Sequence, residues 1–219
     1  MTPKLALLEE YALIARALGA PHRMMLLEQL AQGERGVEAL AEKVGVAVAN
    51  CSQHLQQLRR AGLVTSRRAG KSVIYRMTDD KTLVLMDLLA RIARQNLSVV
   101  EEILRGLSDG QPSEPMTRAE LAERLNDGSV TVLDMRPEDE FAMGHIPGAV
   151  QVDLTGLESM AGKLSAATEI VAYCRGPYCL YAHQAVARLR RQGYNARRLD
   201  GGLPEWRGDG LPVQLAGSA

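Results

Sequence analysis

The fold of the N-terminal half is decided by the stretch Leu63-Val64-Thr65-Ser66-Arg67-Arg68-Ala69-Gly70-Lys71-Ser72-Val73-Ile74-Tyr75-Arg76. Two runs rich in β-forming residues flank a glycine-bearing turn, which predicts a β-hairpin. From Lys43 to Thr78 the chain has seven basic residues and no acidic one. The sequence therefore predicts a basic hairpin suited to an anionic partner.

Short helices are predicted before the hairpin. Gly45 and Gly62 mark the ends of two of them, which run from about Val37 to Val44 and from about Ala47 to Ala61. Two short helices joined by a glycine-bearing turn are typical of a helix-turn-helix. A helical wheel of the second helix predicts one apolar face, formed by Val48, Cys51, Leu55 and Leu58.

The opposite face of that second helix is polar. Amide side chains can bind adenine edges, and arginine can bind guanine or phosphate, so this face has chemistry suited to the major groove. A solvated helix face is the alternative interpretation, but the basic hairpin directly after the helix favours nucleic-acid binding. The residues predicted to contact double-stranded DNA are Asn50, Ser52, Gln53, Gln57, Arg60, Arg67, Arg68 and Lys71.

These features together resemble the ArsR family of winged-helix repressors, over about Leu13 to Asp80. The resemblance is carried by Ala17-Leu18-Gly19-Ala20-Pro21-His22-Arg23, Ser52-Gln53-His54-Leu55, Leu58-Arg59-Arg60-Ala61-Gly62-Leu63-Val64 and Gly70-Lys71-Ser72-Val73-Ile74-Tyr75. It implies a homodimer on a palindromic operator, with the first helix and the long helix after the wing as the interface. An apolar stripe on that long helix independently favours dimerisation: Leu85, Leu88, Leu89, Ile92, Val99, Val100 and Ile103.

Metal sensing is not predicted. Many ArsR proteins bind metal through a Cys-x-Cys pair before the recognition helix, but residues 36–44 contain neither Cys nor His. The histidines lack ligand spacing and are predicted to be structural: His22, His54, His145 and His183. We therefore expect no metal and no cofactor.

Charge and composition place a domain boundary near the middle of the chain. The 219 residues have zero net charge and 46% hydrophobic residues, as in ordinary globular proteins. Residues 1–106 have a net charge of +4 and the remainder −4, and residues 107–115 combine two prolines with Gly and Ser. The prediction is a mainly α winged-helix domain for DNA binding and dimerisation (1–106), a linker (107–115) and a second domain (116–219).

The second half alternates helices with apolar strands, which predicts an α/β domain with a parallel central sheet. The strand from Glu169 to Tyr173 leads into Cys174, and a helix follows from Leu180. Sites in such sheets lie at the carboxyl ends of strands, and a helix N-terminus favours thiolate over thiol. Arg175 adds a positive charge, so Cys174 is the predicted nucleophile.

This half resembles the rhodanese family over nearly its whole length. The resemblance is carried by Leu133-Asp134-Met135-Arg136-Pro137, Glu140-Phe141, Gly144-His145-Ile146-Pro147-Gly148-Ala149, the Cys174 loop, Gly201-Gly202-Leu203-Pro204-Glu205-Trp206 and Gly210-Leu211-Pro212-Val213. It implies that Cys174 takes sulfane sulfur from a donor such as thiosulfate or polysulfide, becoming a persulfide. The implied catalytic loop is Cys174, Arg175, Gly176, Pro177, Tyr178 and Cys179. Related phosphatases and arsenate reductases have a loop one residue longer with a phosphate-binding Arg, where this chain has Leu180, so that chemistry is disfavoured.

Two cysteines leave alternatives open. Cys179 stands where rhodanese loops usually have a small or hydroxyl residue. It is interpreted either as a thiol that attacks a Cys174 persulfide, which leaves a disulfide or a polysulfide bridge, or as a residue packed under the loop. Redox chemistry without transferred sulfur is a third interpretation. Cys51, in the recognition helix, is either a redox switch or a packed side chain, and its position on the apolar face favours packing.

The sequence therefore predicts a DNA-binding transcriptional regulator whose rhodanese domain senses or transfers sulfane sulfur. The alternative is a sulfurtransferase enzyme tethered to DNA without signal coupling, and an arsenate- or redox-responsive regulator ranks below both. Residues 1–20 lack the uninterrupted apolar core of a signal peptide. We accordingly expect a cytoplasmic protein with no membrane partner.

Overall fold

A computed structural model describes residues 2–107, 114–125, 127–162, 164–165, 167–176 and 179–215. The chain divides into two compact units, Met1–Thr82 and Leu83–Ala219. Most of the predicted linker lies outside the described residues, and the predicted boundaries at 106 and 116 stay predictions. Within the described part of the chain, no helix is both long and apolar enough to cross a membrane.

The first unit is a winged helix-turn-helix. Its helices and strands are α1 (Pro3–Leu18), α2 (Pro21–Ala31), β1 (Arg35–Gly36), α3 (Val37–Val44), α4 (Val48–Arg60), β2 (Val64–Ala69) and β3 (Ser72–Met77). The strands form an antiparallel sheet in the order β1-β3-β2, with Ser66 opposite Tyr75. Gly45 ends α3 at a φ of 74°, and Gly70 turns the hairpin at a φ of 62°. The predicted helix-turn-helix and hairpin are confirmed.

The core of this unit is made where α2, α3 and α4 meet, around Leu26, Leu40 and Leu55, which are fully buried. Cys51 and Leu58 are also buried, as the helical wheel predicts. The prediction was wrong for Val48, which is 45% exposed. Val48 is the first residue of α4, and the chain enters it from an extended Ala47, so only the later turns of the helix pack into the core.

The second unit is an α/β domain preceded by two helices. Its elements are α5 (Lys81–Asn96), α6 (Ser98–Leu107), α7 (Arg118–Arg124), β4 (Val130–Asp134), α8 (Glu138–Ala142), β5 (Val150–Gln151), α9 (Gly156–Ala161), β6 (Glu169–Tyr173), α10 (Leu180–Arg191), β7 (Ala196–Arg198) and α11 (Leu203–Gly208). All neighbouring strands of the sheet are parallel, in the order β5-β4-β6-β7. The predicted parallel sheet is confirmed.

The prediction of one long helix after the hairpin was wrong. Two helices, α5 and α6, are separated at Leu97. The side chain of Asn96 donates to the carbonyl oxygen of Ile92 at 2.9 Å, which caps the end of α5 locally. The apolar stripe nonetheless stays exposed on both helices, at Leu85, Leu88, Leu89, Ile92, Val99 and Ile103.

The sheet of the second unit is covered on both faces. Alternate residues of β6 belong to two separate cores: Ile170 and Ala172 pack on one side of the sheet, and Val171 and Tyr173 on the other. Such two-sided burial explains why the strands are continuously apolar. The carboxyl end of β6, where Cys174 follows Tyr173, is therefore held by packing from both sides.

Candidate functional site

The first candidate surface is the exposed side of α4. Asn50, Gln53, Gln57 and Arg60 are all exposed, whereas Ser52 is half-buried. The helix is amphipathic, so burying Cys51, Leu55 and Leu58 leaves this polar face outward. The structure thus gathers the predicted base-contacting side chains on one helix face, and their contact with DNA stays a prediction.

Gln57 has a partner that the sequence did not reveal. Arg23 Nη1 donates to Gln57 Oε1 at 2.6 Å, and the other guanidinium nitrogens of Arg23 donate to the carbonyl oxygens of Arg16 and Ala17. Adenine recognition by Gln uses the same amide oxygen. Arg23 therefore already occupies one of the two lone pairs of the oxygen with which Gln57 would accept from adenine.

The basic wing is not uniformly charged. Arg67 donates to Glu34 Oε2 from Nη2 at 2.7 Å and from Nε at 3.1 Å, and Arg76 lies 3.8 Å from the same carboxylate. Arg68 and Lys71 are exposed and have no ion pair within the described residues. The positive potential of the wing is consequently concentrated at Arg68 and Lys71, near the turn.

The second candidate site is the loop after β6. The Cys174 and Cys179 sulfurs are joined in a disulfide, with the two Cα atoms 5.9 Å apart, and both side chains are buried. Cys179 is the residue before α10, and its amide donates to the carbonyl oxygen of Gly176 at 3.1 Å. Pro177 and Tyr178, two predicted loop residues, lie outside the described residues. The structure brings the two predicted thiols together, and the resolving role of Cys179 stays a prediction.

The side chain of Arg175 forms an ion pair with Glu140 on α8. Its Nε and Nη2 donate to the two carboxylate oxygens of Glu140 at 2.8 and 2.9 Å. The Glu140 side chain is fully buried and that of Arg175 is only 18% exposed. A bidentate pair of this kind compensates both charges, so Arg175 anchors the loop to α8 more than it adds positive potential.

The backbone of the loop is in close contact with the start of α11. The amide of Leu203 donates to the carbonyl oxygen of Cys174 at 3.3 Å. A Cβ placed on Gly202 would lie 2.4 Å from that oxygen and 2.5 Å from the amide nitrogen of Gly176. Because real Cβ atoms do not approach so closely, only glycine fits at position 202 without moving the loop.

Glu205 places a carboxylate beside the same loop. Its Oε2 accepts from the Gly202 amide at 2.8 Å. Its Oε1 faces Gly176, since a Cβ built on that glycine would lie 3.7 Å from the oxygen. Burial raises the pKa of the Glu205 carboxyl, against the hydrogen bond from Gly202 and the charge of Arg118. Sequence reasoning missed this residue, although its spacing from Gly202 is that of a capping box.

A buried network positions the strand ends behind the loop. Arg136 Nη2 donates to Asp134 Oδ2 at 2.5 Å and to the carbonyl oxygen of Gly144 at 2.7 Å. The Tyr173 hydroxyl donates to the same Asp134 oxygen and accepts from the Ile146 amide. Burial, with the Asp134 charge, raises the pKa of Tyr173 well above its usual value. The network ties the end of β4 and the segment after α8 to the residue before Cys174.

Comparison with known proteins agrees with both halves. The model of a helix-turn-helix domain matches residues 18–67, and that of the rhodanese-like domain matches residues 117–209. The HTH-type transcriptional regulator Rv0324 of Mycobacterium tuberculosis is 40% identical over 210 residues, which are 96% of this chain and 92% of that protein. This chain belongs to the ArsR-type regulators with a C-terminal rhodanese-like domain. Both family resemblances are confirmed.

Solved structures resemble this ArsR–rhodanese regulator in each half. A homodimeric winged helix-turn-helix DNA-binding domain from Mycobacterium bovis, Mb0332, is 37% identical, covering 44% of this chain and 90% of that one, with a TM-score of 0.41. A rhodanese-related protein from Thermoplasma volcanium is 26% identical, covering 47% and 98%, with a TM-score of 0.42.

Cys51 and three histidines of this ArsR–rhodanese regulator make contacts that suit a structural role. Cys51 is fully buried, its Sγ donates to the carbonyl oxygen of Val37, and burial raises the pKa of its thiol. The rings of His22 and His54 stack, and His145 Nδ1 bonds the carbonyl oxygen of Phe141. No group of three or more metal-ligating side chains is found among the described residues. The packed interpretation of Cys51 is therefore favoured over the switch.

Proposed function

We propose that this protein is a homodimeric transcriptional regulator that binds a palindromic DNA operator and senses sulfane sulfur at Cys174. The single observation that carries the proposal is the direct bonding of the Cys174 and Cys179 sulfurs at the carboxyl end of β6. That pair belongs to a chain whose other half is a winged helix of a DNA-binding family. Binding to a chromosomal operator also fits the expected cytoplasmic location.

The proposed chemistry needs no oxidant other than the sulfur donor itself. The Cys174 thiolate attacks the sulfane sulfur of a donor such as thiosulfate or polysulfide, a Cys174 S–S bond forms, and the donor's leaving group departs with the electron pair of the broken bond. The Cys179 thiolate then attacks Cys174 Sγ, which forms the disulfide and releases the extra sulfur as hydrosulfide. Two thiolates are thereby oxidised by the sulfane sulfur, which is reduced to sulfide. A low-molecular-weight thiol returns the loop to the dithiol.

The surroundings of the loop support thiolate chemistry. Cys174 follows a buried parallel strand and Cys179 immediately precedes the first turn of α10, a twelve-residue helix. Backbone amides and the positive end of the helix dipole stabilise an anionic sulfur there. In the disulfide form Cys174 is only 1% exposed, so the reduced loop is the form that meets the donor.

DNA binding and dimerisation rest on two separate surfaces. The exposed polar face of α4 and the wing tip around Arg68 and Lys71 suit the major groove and the phosphate backbone. The exposed leucines of α1 and α5, such as Leu8 and Leu88, form apolar faces that a second subunit would cover.

The test measures whether the addition of sulfur to Cys174 changes the affinity for the operator. Reduced full-length protein is treated with polysulfide or with thiosulfate, the modified residues are located by mass spectrometry, and operator binding is titrated. Wild type is expected to change affinity at least about fivefold, a coupling of roughly 1 kcal/mol. Cys174→Ser abolishes both the modification and the change in affinity. Cys179→Ser keeps the added sulfur on Cys174, whereas wild type proceeds to the disulfide.

Cys51→Ser is the matched control, because it removes the third cysteine and leaves the loop intact. Unchanged operator affinity after confirmed loading of Cys174 would overturn the sensor proposal. A sulfurtransferase without signal coupling is the second candidate, favoured by the division of the chain into two compact units. In that case the equilibrium between the dithiol and the disulfide loop is the same with and without saturating operator DNA, whereas in a coupled sensor the DNA must shift that equilibrium.

A further inference from the structure

The guanidinium of Arg23, near the start of α2, bonds to two other helices. Its Nε donates to the carbonyl oxygen of Ala17 at 2.5 Å, and its Nη2 donates to that of Arg16 at 2.6 Å. Both carbonyls lie in the last turn of α1, where the helix leaves acceptors unpaired and its dipole favours a cation. Its Nη1 donates to Oε1 of Gln57 on α4 at 2.6 Å. Bonds from all three nitrogens therefore fix the guanidinium between α1 and α4.

Arg23 determines the orientation of the Gln57 side-chain amide. A guanidinium has only donors, whereas the two ends of an amide differ, because its oxygen accepts and its nitrogen donates. With the amide turned around, its N–H groups would face the donors of Arg23, so that orientation is disfavoured. The end directed away from Arg23 is therefore Nε2, which has no hydrogen-bond partner in the described part of the chain. Gln57 is exposed on α4, so this donor is available to a ligand.

A fixed amide discriminates between bases better than one that rotates. In the major groove the acceptors are purine N7, guanine O6 and thymine O4, whereas the donors are adenine N6 and cytosine N4. A rotating glutamine amide presents either its oxygen or its nitrogen, so it matches a donor or an acceptor at the same position. With Oε1 held toward α2, Gln57 presents Nε2 first, and a base with an acceptor at that position is favoured over one with a donor.

We infer that Arg23 is a positioning residue for base recognition, which holds Gln57 so that Nε2 donates to an acceptor on one base of the operator. The inference rests on the proposed binding of α4 in the major groove. Arg23 acts through Gln57 and contacts no base itself. Its loss should therefore reduce the preference at a single base pair, while sequence-independent binding changes only as the loss of one positive charge requires.

The experiment measures base preference with the full-length protein. Wild type first selects a preferred duplex from a random double-stranded DNA library, and the base pair at which Gln57→Ala loses preference is located. Dissociation constants are then measured by fluorescence anisotropy for duplexes with each of the four base pairs at that position. We expect wild type to prefer one base pair by at least about tenfold, and Arg23→Met to prefer it by less than about threefold. Gln57→Glu, which keeps the acceptor for Arg23 and removes the donor, should also lose the wild-type preference.

Arg16→Met is the matched control, because it removes the same charge from an exposed residue of α1 and should keep the preference. The inference is wrong if Arg23→Met keeps the full preference or weakens binding to all four duplexes equally. It is also wrong if Gln57→Ala loses preference at no position, or if Gln57→Glu keeps the wild-type preference. Gln57→Glu leaves the bonds between Arg23 and α1 intact, so its result does not depend on the folding of Arg23→Met. If wild type selects no sequence, the proposed function itself fails.

Discussion

The guanidinium of Arg67 is paired with the carboxylate of Glu34, with Nη2 and Oε2 2.7 Å apart. The two residues are 33 positions apart in sequence, and the pair joins the wing strand β2 to the segment before β1. Both side chains are substantially exposed, at 59% and 40%, so the pair contributes little to stability. Its main effect is on the charge that the wing presents to DNA.

Replacing Arg68 by Ala is therefore expected to weaken operator binding more than replacing Arg67. For Arg68→Ala, the slope of log Kd against log salt falls by about one unit, because one phosphate contact is lost. Arg67→Ala changes the slope by less, since Glu34 already compensates that charge. Fluorescence anisotropy titrations at several salt concentrations measure both. Equal losses of slope in the two variants would contradict the distinction between the two arginines.

The exposed stripe of α5 predicts the effect of a charge placed on it. Leu88→Glu puts a carboxylate on a face that a second subunit would cover, so the dimer is expected to weaken at least about tenfold. Sedimentation velocity over a dilution series measures the shift toward monomer. Val150→Glu introduces the same charge at an exposed apolar residue on the sheet-edge strand β5 and serves as the control. A Leu88→Glu protein as dimeric as this control shows that the interface lies elsewhere.

Gly202→Ala is expected to destabilise the rhodanese unit by about 1–3 kcal/mol, because the added Cβ would overlap the carbonyl oxygen of Cys174 and the amide of Gly176. Urea unfolding measures the difference. Gly208→Ala is the matched control, since a Cβ at position 208 meets nothing within 4 Å. Comparable stability of the two variants would show that the loop accommodates the extra carbon.

The buried carboxyl of Glu205 predicts a pH dependence of stability. Its pKa is raised in the folded protein above the ordinary value of 4.5, so the folded state holds the proton more tightly than the unfolded state. The corresponding stabilisation is present below pH 4.5 and is lost as the pH rises through the folded pKa. The unfolding free energy of wild type should therefore fall relative to that of Glu205→Gln as the pH rises above 4.5. The difference between the two proteins should become constant above the folded pKa. Parallel curves of unfolding free energy against pH for the two proteins would show that Glu205 does not cause the pH dependence.

Local patterns sufficed to predict most elements of the fold. The bounds of α3, β4 and β6 follow directly from glycine stops and apolar runs, and Cys174 was placed correctly at a strand end. The break at Leu97 was missed because the apolar stripe continues across it, and neither Gly nor Pro marks the position where the Asn96 side chain bonds back to Ile92. Val48 was misplaced because a helical wheel does not show where the core ends.

The contacts that define the candidate sites were harder to predict. Arg175 and Glu140 are 35 residues apart, and Arg23 and Gln57 are 34 apart, so no sequence spacing pairs them. Tertiary packing of strands and helices brings such residues together. The position of Cys174 at a strand end could be predicted from the sequence, whereas the ion pair of its neighbour Arg175 with Glu140 depends on the tertiary structure.

The close fit of Gly202 to the Cys174 loop has a consequence for protein engineering. Backbone atoms alone fix where the loop lies on this side, through the Leu203 amide and the space left by the missing side chain. Loop substitutions that keep Arg175, which pairs with Glu140, and the backbone conformation at Gly176 accordingly leave this attachment in place. The Gly202 contact is thus a fixed point around which the loop sequence can be redesigned, and the operator affinity of each redesigned protein would report whether the loop and the DNA-binding unit communicate.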